Sequence, residues 1–354
     1  MRRGYRFELL YLPGLTDVVR AEVAEVLPGV RLAAVPGRED SLAGGTVRDV
    51  AGELRRLRTV VAAFQVLTFP VPRPRSLLSG EYLPHIAEAI RAVPGPRSLR
   101  IEAADRDSTV LRTLAGQLAQ ATGLPHDPED GECVLRLRRT PDAAGSDGWD
   151  VLVRLSPRPL SARPWRVRGH PAAANATVAA ALVRLTGPRP GDRVANLMCG
   201  SGTLLIERLL AGPAAVAVGV DSDPDAVAAA EANAAAAGLR GRTRWCTGDV
   251  EGDGWLDGGP FDVLLADPPW GDKAGRHDRN EDLHAGLLSR AADAAAPGAR
   301  LAVLTHEVKI MNRCIVRFRG SWERVSETRV YHKGHHPRIY VLRRCDGTGA
   351  ERAR

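Results

Sequence analysis

The stretch FDVLLADPPWG, residues 261–271, holds the residues best suited to chemistry. An apolar run leads into Asp267. Pro268 and Pro269 cannot continue a strand or a helix interior, so the chain must turn sharply there. Such a turn presents the Asp267 carboxylate and the Pro268 carbonyl as two acceptors, with the flat ring of Trp270 beside them. Two acceptors next to a stacking face suit an exocyclic amine on a planar base. They hold its N–H groups, aim the nitrogen lone pair and stabilise positive charge as it develops on nitrogen. A proline-rich loop with a core tryptophan is the bland reading of the same residues.

Upstream, DRVANLMCGSGTLLIERLL reads as a strand, a glycine turn and a helix. Gly200 and Gly202 let the backbone approach a ligand closely, and the helix aims its free N–H groups at it. Alone this is a tight βα turn. Asp221, 19 residues after Gly202, ends the next strand, where a carboxylate accepts from ribose hydroxyls. Its alternative role as a helix cap is weakened because Asp223-Pro224 already supplies the cap and first helical residue. Asp249 follows a third strand and is placed to accept from an adenine amine, with Val250 covering the ring. The turn lacks the third glycine of a dinucleotide fingerprint, since residue 205 is Leu, but a nicotinamide dinucleotide stays open as the second ligand class.

These residues need a scaffold. The strand candidates RVANLM, AVAVGV, TRWC, FDVLLAD and RLAVLT are mostly separated by helical segments, which predicts a parallel sheet flanked by helices. The site residues then fall at the carboxyl ends of successive strands, where such sheets bind ligands. Residues 1–160 read differently. FELLYLP is strand-like, and TDVVRAEVAEVLPG is helical, opened by Thr16 and closed at Pro28-Gly29. A Pro/Arg-rich linker, PVPRPRSLLSG, precedes the helix EYLPHIAEAIRAVPG. Then come the strand SLRIEA, a helix closed by Gly123, and a β pair, CVLRLRR and WDVLVRLS, around DAAGSDG. The expectation is an α/β protein in two parts: an α+β region over 1–160 and a doubly wound domain over 161–354.

At 354 residues, 44% hydrophobic and 26% charged, the composition is that of a folded globular chain. No uncharged apolar run approaches the roughly 18 residues of a membrane span. The opening MRRGYRFELLYLPG lacks a signal-peptide core, so the expected compartment is the cytoplasm. Five scattered cysteines, none paired as CxxC, predict neither a disulfide framework nor a zinc site. Net charge is +7, carried by 46 Arg and only 3 Lys. Residues 300–344 hold 11 Arg or Lys against 3 Glu, plus four His, which suggests a polyanion partner, or else a generally Arg-rich surface.

NLMCGSGT, Asp221, Asp249 and DPPW together resemble the class I S-adenosylmethionine-dependent methyltransferases. The resemblance implies a Rossmann-like, mostly parallel seven-stranded sheet. It implies cofactor contacts from Thr177, Asn196, Met198, Cys199, Gly200, Ser201, Gly202, Thr203, Asp221, Ser222, Asp249, Val250 and Asp267. Asn196 stands where that family usually has an acid, and an amide oxygen can still accept. DPPW resembles the amino-methyltransferase motif, implying catalytic roles for Asp267, Pro268, Pro269 and Trp270. The motif alone leaves adenine-N6, cytosine-N4, guanine-N2 and glutamine open.

The flanks PRPLSARPWRVRGHPAAANATVAAALV, GDKAGRHDRNEDLHAGLL and KGHHPRIYVLRR resemble the tRNA guanine-N2 methyltransferases that carry a ferredoxin-like segment and a THUMP domain. Large-ribosomal-subunit guanine-N2 enzymes are second in resemblance. Small-molecule or protein N-methyltransferases, and an RNA-binding module on an inactive fold, are the competing classes. The tRNA resemblance implies a monomer acting on the acceptor stem near position 6, without a metal, with Arg136, Arg138, Arg139, Arg163, Arg166 and Arg168 as candidate phosphate contacts. His335 and His336 are open between RNA contact and a structural turn. If Trp270 stacks on a base, Trp270→Phe keeps most of the turnover and Trp270→Ala loses roughly 1–3 kcal/mol of transition-state stabilisation. Equal turnover of the two variants would make Trp270 a core residue.

Overall fold

The computed structural model describes residues 4–104, 108–140, 148–170, 173–269 and 277–345, with side chains of 277–279 left aside. Trp270 and most of the DAAGSDG turn lie outside the described residues. The chain divides into two compact units, Met1–Tyr11 with Val19–Ser161, and Leu12–Val18 with Ala162–Arg354.

The first unit contains β1 (Tyr5–Tyr11), α1 (Thr16–Val26) from Val19 onward, β2 (Ala33–Ala34), β3 (Ser41–Thr46), α2 (Ala51–Leu54) and β4 (Val60–Phe69). It continues through α3 (Leu83–Arg91), β5 (Leu99–Glu102), α4 (Thr109–Thr122), β6 (Cys133–Arg139) and β7 (Trp149–Arg154). Its seven strands form one sheet in the order β2-β3-β1-β4-β7-β6-β5, and only β5–β6 is parallel. Antiparallel pairing with helices packed on the sheet gives the α+β class read from sequence. Ser108 caps α4 through its side chain, and Gly123 ends that helix in the left-handed region. The core gathers Ile86 and Ile90 of α3, Leu114 and Leu118 of α4, and Leu135 and Val151 of the sheet.

The second unit runs α5 (Ala176–Leu185), β8 (Arg193–Leu197), α6 (Thr203–Ala211), β9 (Val216–Asp221), α7 (Pro224–Ala236), β10 (Arg244–Thr247) and β11 (Phe261–Ala266). It closes with α8 (His277–Ala294), β12 (Ala295–Thr305), α9 (Val308–Arg317), β13 (Trp322–Arg329) and β14 (Arg338–Arg344). The sheet order is β10-β9-β8-β11-β12-β14-β13. The first five of these strands pair in parallel, and β14 enters antiparallel between β12 and β13. This is the doubly wound sheet expected, with its order reversing beside β8. There the loops after β8 and β9 run to one side and the loop after β11 to the other, opening a crevice at the carboxyl edge.

Asp192, just before β8, braces the opposite, amino edge of the same sheet. It accepts from the fully buried Arg208 of α6 at 3.0 Å and from Arg300 of β12 at 3.2 Å. Arg208 also donates to the carbonyls of Arg189, Gly212 and Pro213. Removing one partner of a buried pair leaves an uncompensated charge, so Asp192→Ala should destabilise the protein by about 3–5 kcal/mol. Denaturant unfolding checks this, and a loss below about 1 kcal/mol would show the pair to be dispensable.

Candidate active site

The turn after β8 is built by three residues in the left-handed region: Met198 (φ 52°), Gly200 (φ 51°) and Gly202 (φ 80°). Gly202 has a second reason to be glycine, because a Cβ there would stand 2.7 Å from the Trp245 ring and 3.0 Å from Ala230. At Gly200 the same position is open space, which leaves the backbone accessible. Asp221 at the end of β9 fixes the turn. One carboxylate oxygen accepts the Gly200 N–H at 2.7 Å and the other accepts the Asp223 N–H at 3.0 Å. A carboxylate has about four lone-pair sites, so two remain for a ligand. Asp223, as expected, is the cap of α7.

A cleft of about 470 Å³ opens over these loops, within the usual range for small-molecule sites. Met198, Cys199, Gly200, Ser201, Thr203, Asp221, Ser222, Asp249, Val250, Asp267 and Pro269 line it. The sheet therefore brings the glycine turn, the three acids and the DPP turn to one place. Val250 is held by the Trp255 indole, which donates to its carbonyl at 2.9 Å. Asp249 accepts the Glu251 N–H at 2.9 Å. Burial, and the Asp221 charge beside it, hold the Cys199 thiol well above the usual cysteine range, so it is a thiol and no nucleophile.

Four expected site residues are not in the cleft wall itself, though Gly202 and Pro268 each sit between two residues that are. Gly202, Thr177, Asn196 and Pro268 do not line the cleft. Thr177 is buried in α5. Asn196 is fully buried in β8 and donates to the Leu265 carbonyl of β11 at 3.1 Å, so its amide clamps two strands. A carboxylate could not donate there, which gives a structural reason for Asn where an acid is usual. Its side-chain oxygen is buried without a hydrogen-bond partner among the described residues.

The cleft also takes in His170, Glu251, Asp282 and Leu283, which sequence reading did not single out. The His170 imidazole lies 3.3 Å from the Asp223 carboxylate. Glu251 approaches α8 at Gly286, where a Cβ would stand 2.5 Å from its carboxylate; that lone helical glycine was the available signal. Two residues after Asp282, the buried His284 Nδ1 contacts the Asn280 carbonyl at 2.8 Å and Nε2 contacts the Thr305 hydroxyl at 3.1 Å. A carbonyl only accepts, so Nδ1 carries the proton and the Thr305 hydroxyl donates to Nε2. Burial holds this imidazole below the usual histidine range, in keeping with that neutral form. The pair ties α8 to the end of β12.

The arginines separate by what they touch. Arg163 is nearly buried against Glu207 at 2.8 Å, and Arg166 donates to the Ala174 carbonyl and the Thr203 hydroxyl. Arg138 serves two buried acids, Glu8 and Asp150. Those three guanidiniums hold their own domains together. Arg136 pairs with Glu102 over the Phe64 ring, and Arg139 lies exposed over Trp149. Arg168 is exposed, with its backbone pinned by Asn233.

A protein from Thermus thermophilus named tRNA (guanine(6)-N2)-methyltransferase is 30% identical over 350 residues, covering 93% of this chain and 97% of that one. The chain belongs to this methyltransferase family. The family described as RMKL-like, methyltransferase domain, matches residues 163–338. The crystal structure of TrmN from Thermus thermophilus superposes with a TM-score of 0.71 at 25% identity, over 96% of this chain and 99% of that chain. A methyltransferase crystallised with SAH shares the fold at a TM-score of 0.64 and 15% identity, over 96% of this chain and 98% of that one. As a class I methyltransferase the chain uses S-adenosylmethionine, and its cleft fits that group: an open glycine turn and two strand-end acids with free acceptor sites. No helix among the described residues is long and apolar enough to cross a membrane, and none of their His, Cys, Asp and Glu form a group of three fit to hold a metal.

Asp221→Ala removes both the tie to Gly200 and a cleft carboxylate. Hydrogen bonds to charged groups contribute about 1.5–3 kcal/mol, so titration calorimetry with S-adenosylhomocysteine should show affinity falling roughly 10- to 100-fold. An affinity within twofold of the unaltered protein would remove Asp221 from the ligand site.

Proposed function

We propose that this protein methylates the exocyclic N2 amine of a guanosine in the acceptor stem of tRNA, near position 6. The observation that carries the reading is end-to-end similarity to a relative of that name, joined to a DPP turn on the cofactor cleft. S-adenosylmethionine supplies an electrophilic methyl group on sulfur. Asp221, Asp249 and the backbone of residues 198–201 hold it, with Val250 against the adenine. Asn196 acts one layer below, fixing β8 against β11.

Asp267 and the Pro268 carbonyl accept from the guanine amine and aim its lone pair. Trp270 stacks on the base, and Pro269 shapes the turn. The carboxylate also stabilises positive charge as it grows on nitrogen, which is where a preorganised acceptor has most effect. A stem guanine must leave the helix to reach the cleft.

The first unit, read as a ferredoxin-like segment with a THUMP domain, grips the acceptor end. Arg136 and Arg139 there, and Arg168 in the second unit, are the arginines placed for phosphate contact. The protein acts as a monomer in the cytoplasm.

The test is to incubate the protein with labelled S-adenosylmethionine and total RNA, then map the labelled nucleoside. N2-methylguanosine in the tRNA acceptor stem is expected. Label in ribosomal RNA alone, or on another base, would overturn the reading. Asp267→Ala should lower turnover on the order of 100-fold or more while cofactor affinity stays within a few-fold. Near-normal turnover by that variant would remove Asp267 from the reaction.

A further inference from the structure

The β13–β14 hairpin ends in a tight, rigid tip. His332 and His335 exchange two backbone hydrogen bonds of 3.0 Å, and the two residues between them, Lys333 (φ 49°) and Gly334 (φ 81°), both occupy the left-handed region. That is the two-residue turn whose twist matches paired strands. The base of the tip is anchored. Val330 is fully buried and its N–H bonds the Pro337 carbonyl at 3.0 Å. The Tyr331 N–H bonds the Pro13 carbonyl at 2.9 Å, within the same unit.

What the tip displays is unusual for a surface turn. Tyr331, Lys333, His335 and His336 are all exposed. Tyr331 and His336 pair with ring centroids 5.1 Å apart, and His335 meets His306 edge-on at 5.3 Å. The rings are therefore held in place while their outer faces stay in water. The nearest acid of the hairpin, Glu327, is already paired with Arg324 and Arg338. The tip is thus aromatic with a cationic head, and has no competing free carboxylate of its own.

Its position gives the combination a use. Arg338 pairs with Thr305, and Val303 pairs with Ala266, the residue before Asp267. The tip consequently stands beyond the same carboxyl edge as Asp267. Two strand spacings separate β11 from β14, or about 10 Å, a span of nucleotide size. Exposed aromatic faces beside a cation suit unstacked bases and their phosphates, because every base offers a π face and every linkage a charge.

We propose that this tip is a second RNA-binding surface, on the catalytic unit itself, that takes the nucleotides flanking the extruded guanosine. Tyr331 and His336 stack on a flanking base, and Lys333 meets its phosphate. The inference rests on the RNA-methyltransferase reading above.

The test uses the full chain, after the unaltered protein has been shown to methylate tRNA. Four variants are compared: Tyr331→Phe, Tyr331→Ala, Tyr331→Ala with His336→Ala, and Lys333→Gln. The double alanine variant should raise the KM for tRNA about tenfold, with kcat at saturating tRNA and cofactor affinity within twofold. Tyr331→Phe should behave as the unaltered protein. Lys333→Gln, which keeps a side chain on the same backbone, should reduce the slope of log Kd against log salt by about one phosphate contact. A KM within twofold in the double variant, together with an unchanged salt slope in Lys333→Gln, would overturn the proposal while leaving the methyltransferase reading intact. Failure of the unaltered chain to methylate any RNA would overturn the parent reading, and this surface with it.

Discussion

The Asp221 carboxylate, accepting the Gly200 N–H at 2.7 Å, is the contact on which the site depends. It joins the turn after β8 to the end of β9. Three left-handed residues in five positions give that turn little intrinsic preference for one shape. An external acceptor selects the shape in which the backbone faces the cleft. The same carboxylate bonds the Asp223 N–H and so sets the start of α7. Trp245 works from the other side: a Cβ at Gly219 or Gly202 would collide with its ring, so small residues and a large one interlock under the turn.

The site was largely legible because its residues are forced by backbone demands. Glycines with positive φ, acids at strand ends and paired prolines carry their reasons in the sequence. Asn196 was read in the right strand, but its use there is a strand clamp, and the partner is the Leu265 carbonyl, 69 residues away. Periodicity gives no access to such a pairing. The arginines show the same limit. Arg138 looked like a phosphate contact in LRLRR, yet it neutralises Glu8 from 130 residues upstream. Arg163 similarly meets Glu207 in the core.

The fold was unevenly legible. The parallel sheet showed itself by alternating elements. In the first unit, β4 went unread although it lies at the centre of its sheet, between β1 and β7. VVAAFQVLTF is apolar almost throughout, and such a run has no period to separate a buried strand from a buried helix. β3 was hidden for the opposite reason. SLAGGT has poor strand propensity, but Gly44 must be small because the Phe7 ring occupies the space a Cβ would need, 2.6 Å away. Packing from a neighbouring strand overrides local preference there.

The bond between Tyr331 and Pro13 has a consequence for how the chain is made. Residues 12–18 leave the ribosome more than 300 residues before β13 is complete, yet they belong with the unit that holds that strand. At roughly 5–20 residues per second, the Pro13-Gly14 turn waits tens of seconds for the strand that it packs against. That strand is a tight fit, since a Cβ on Gly14 would overlap the Arg329 carbonyl. The catalytic unit therefore reaches its final form only after β13 has been made, and an engineered split near Ser161 would separate it from a segment of its own architecture.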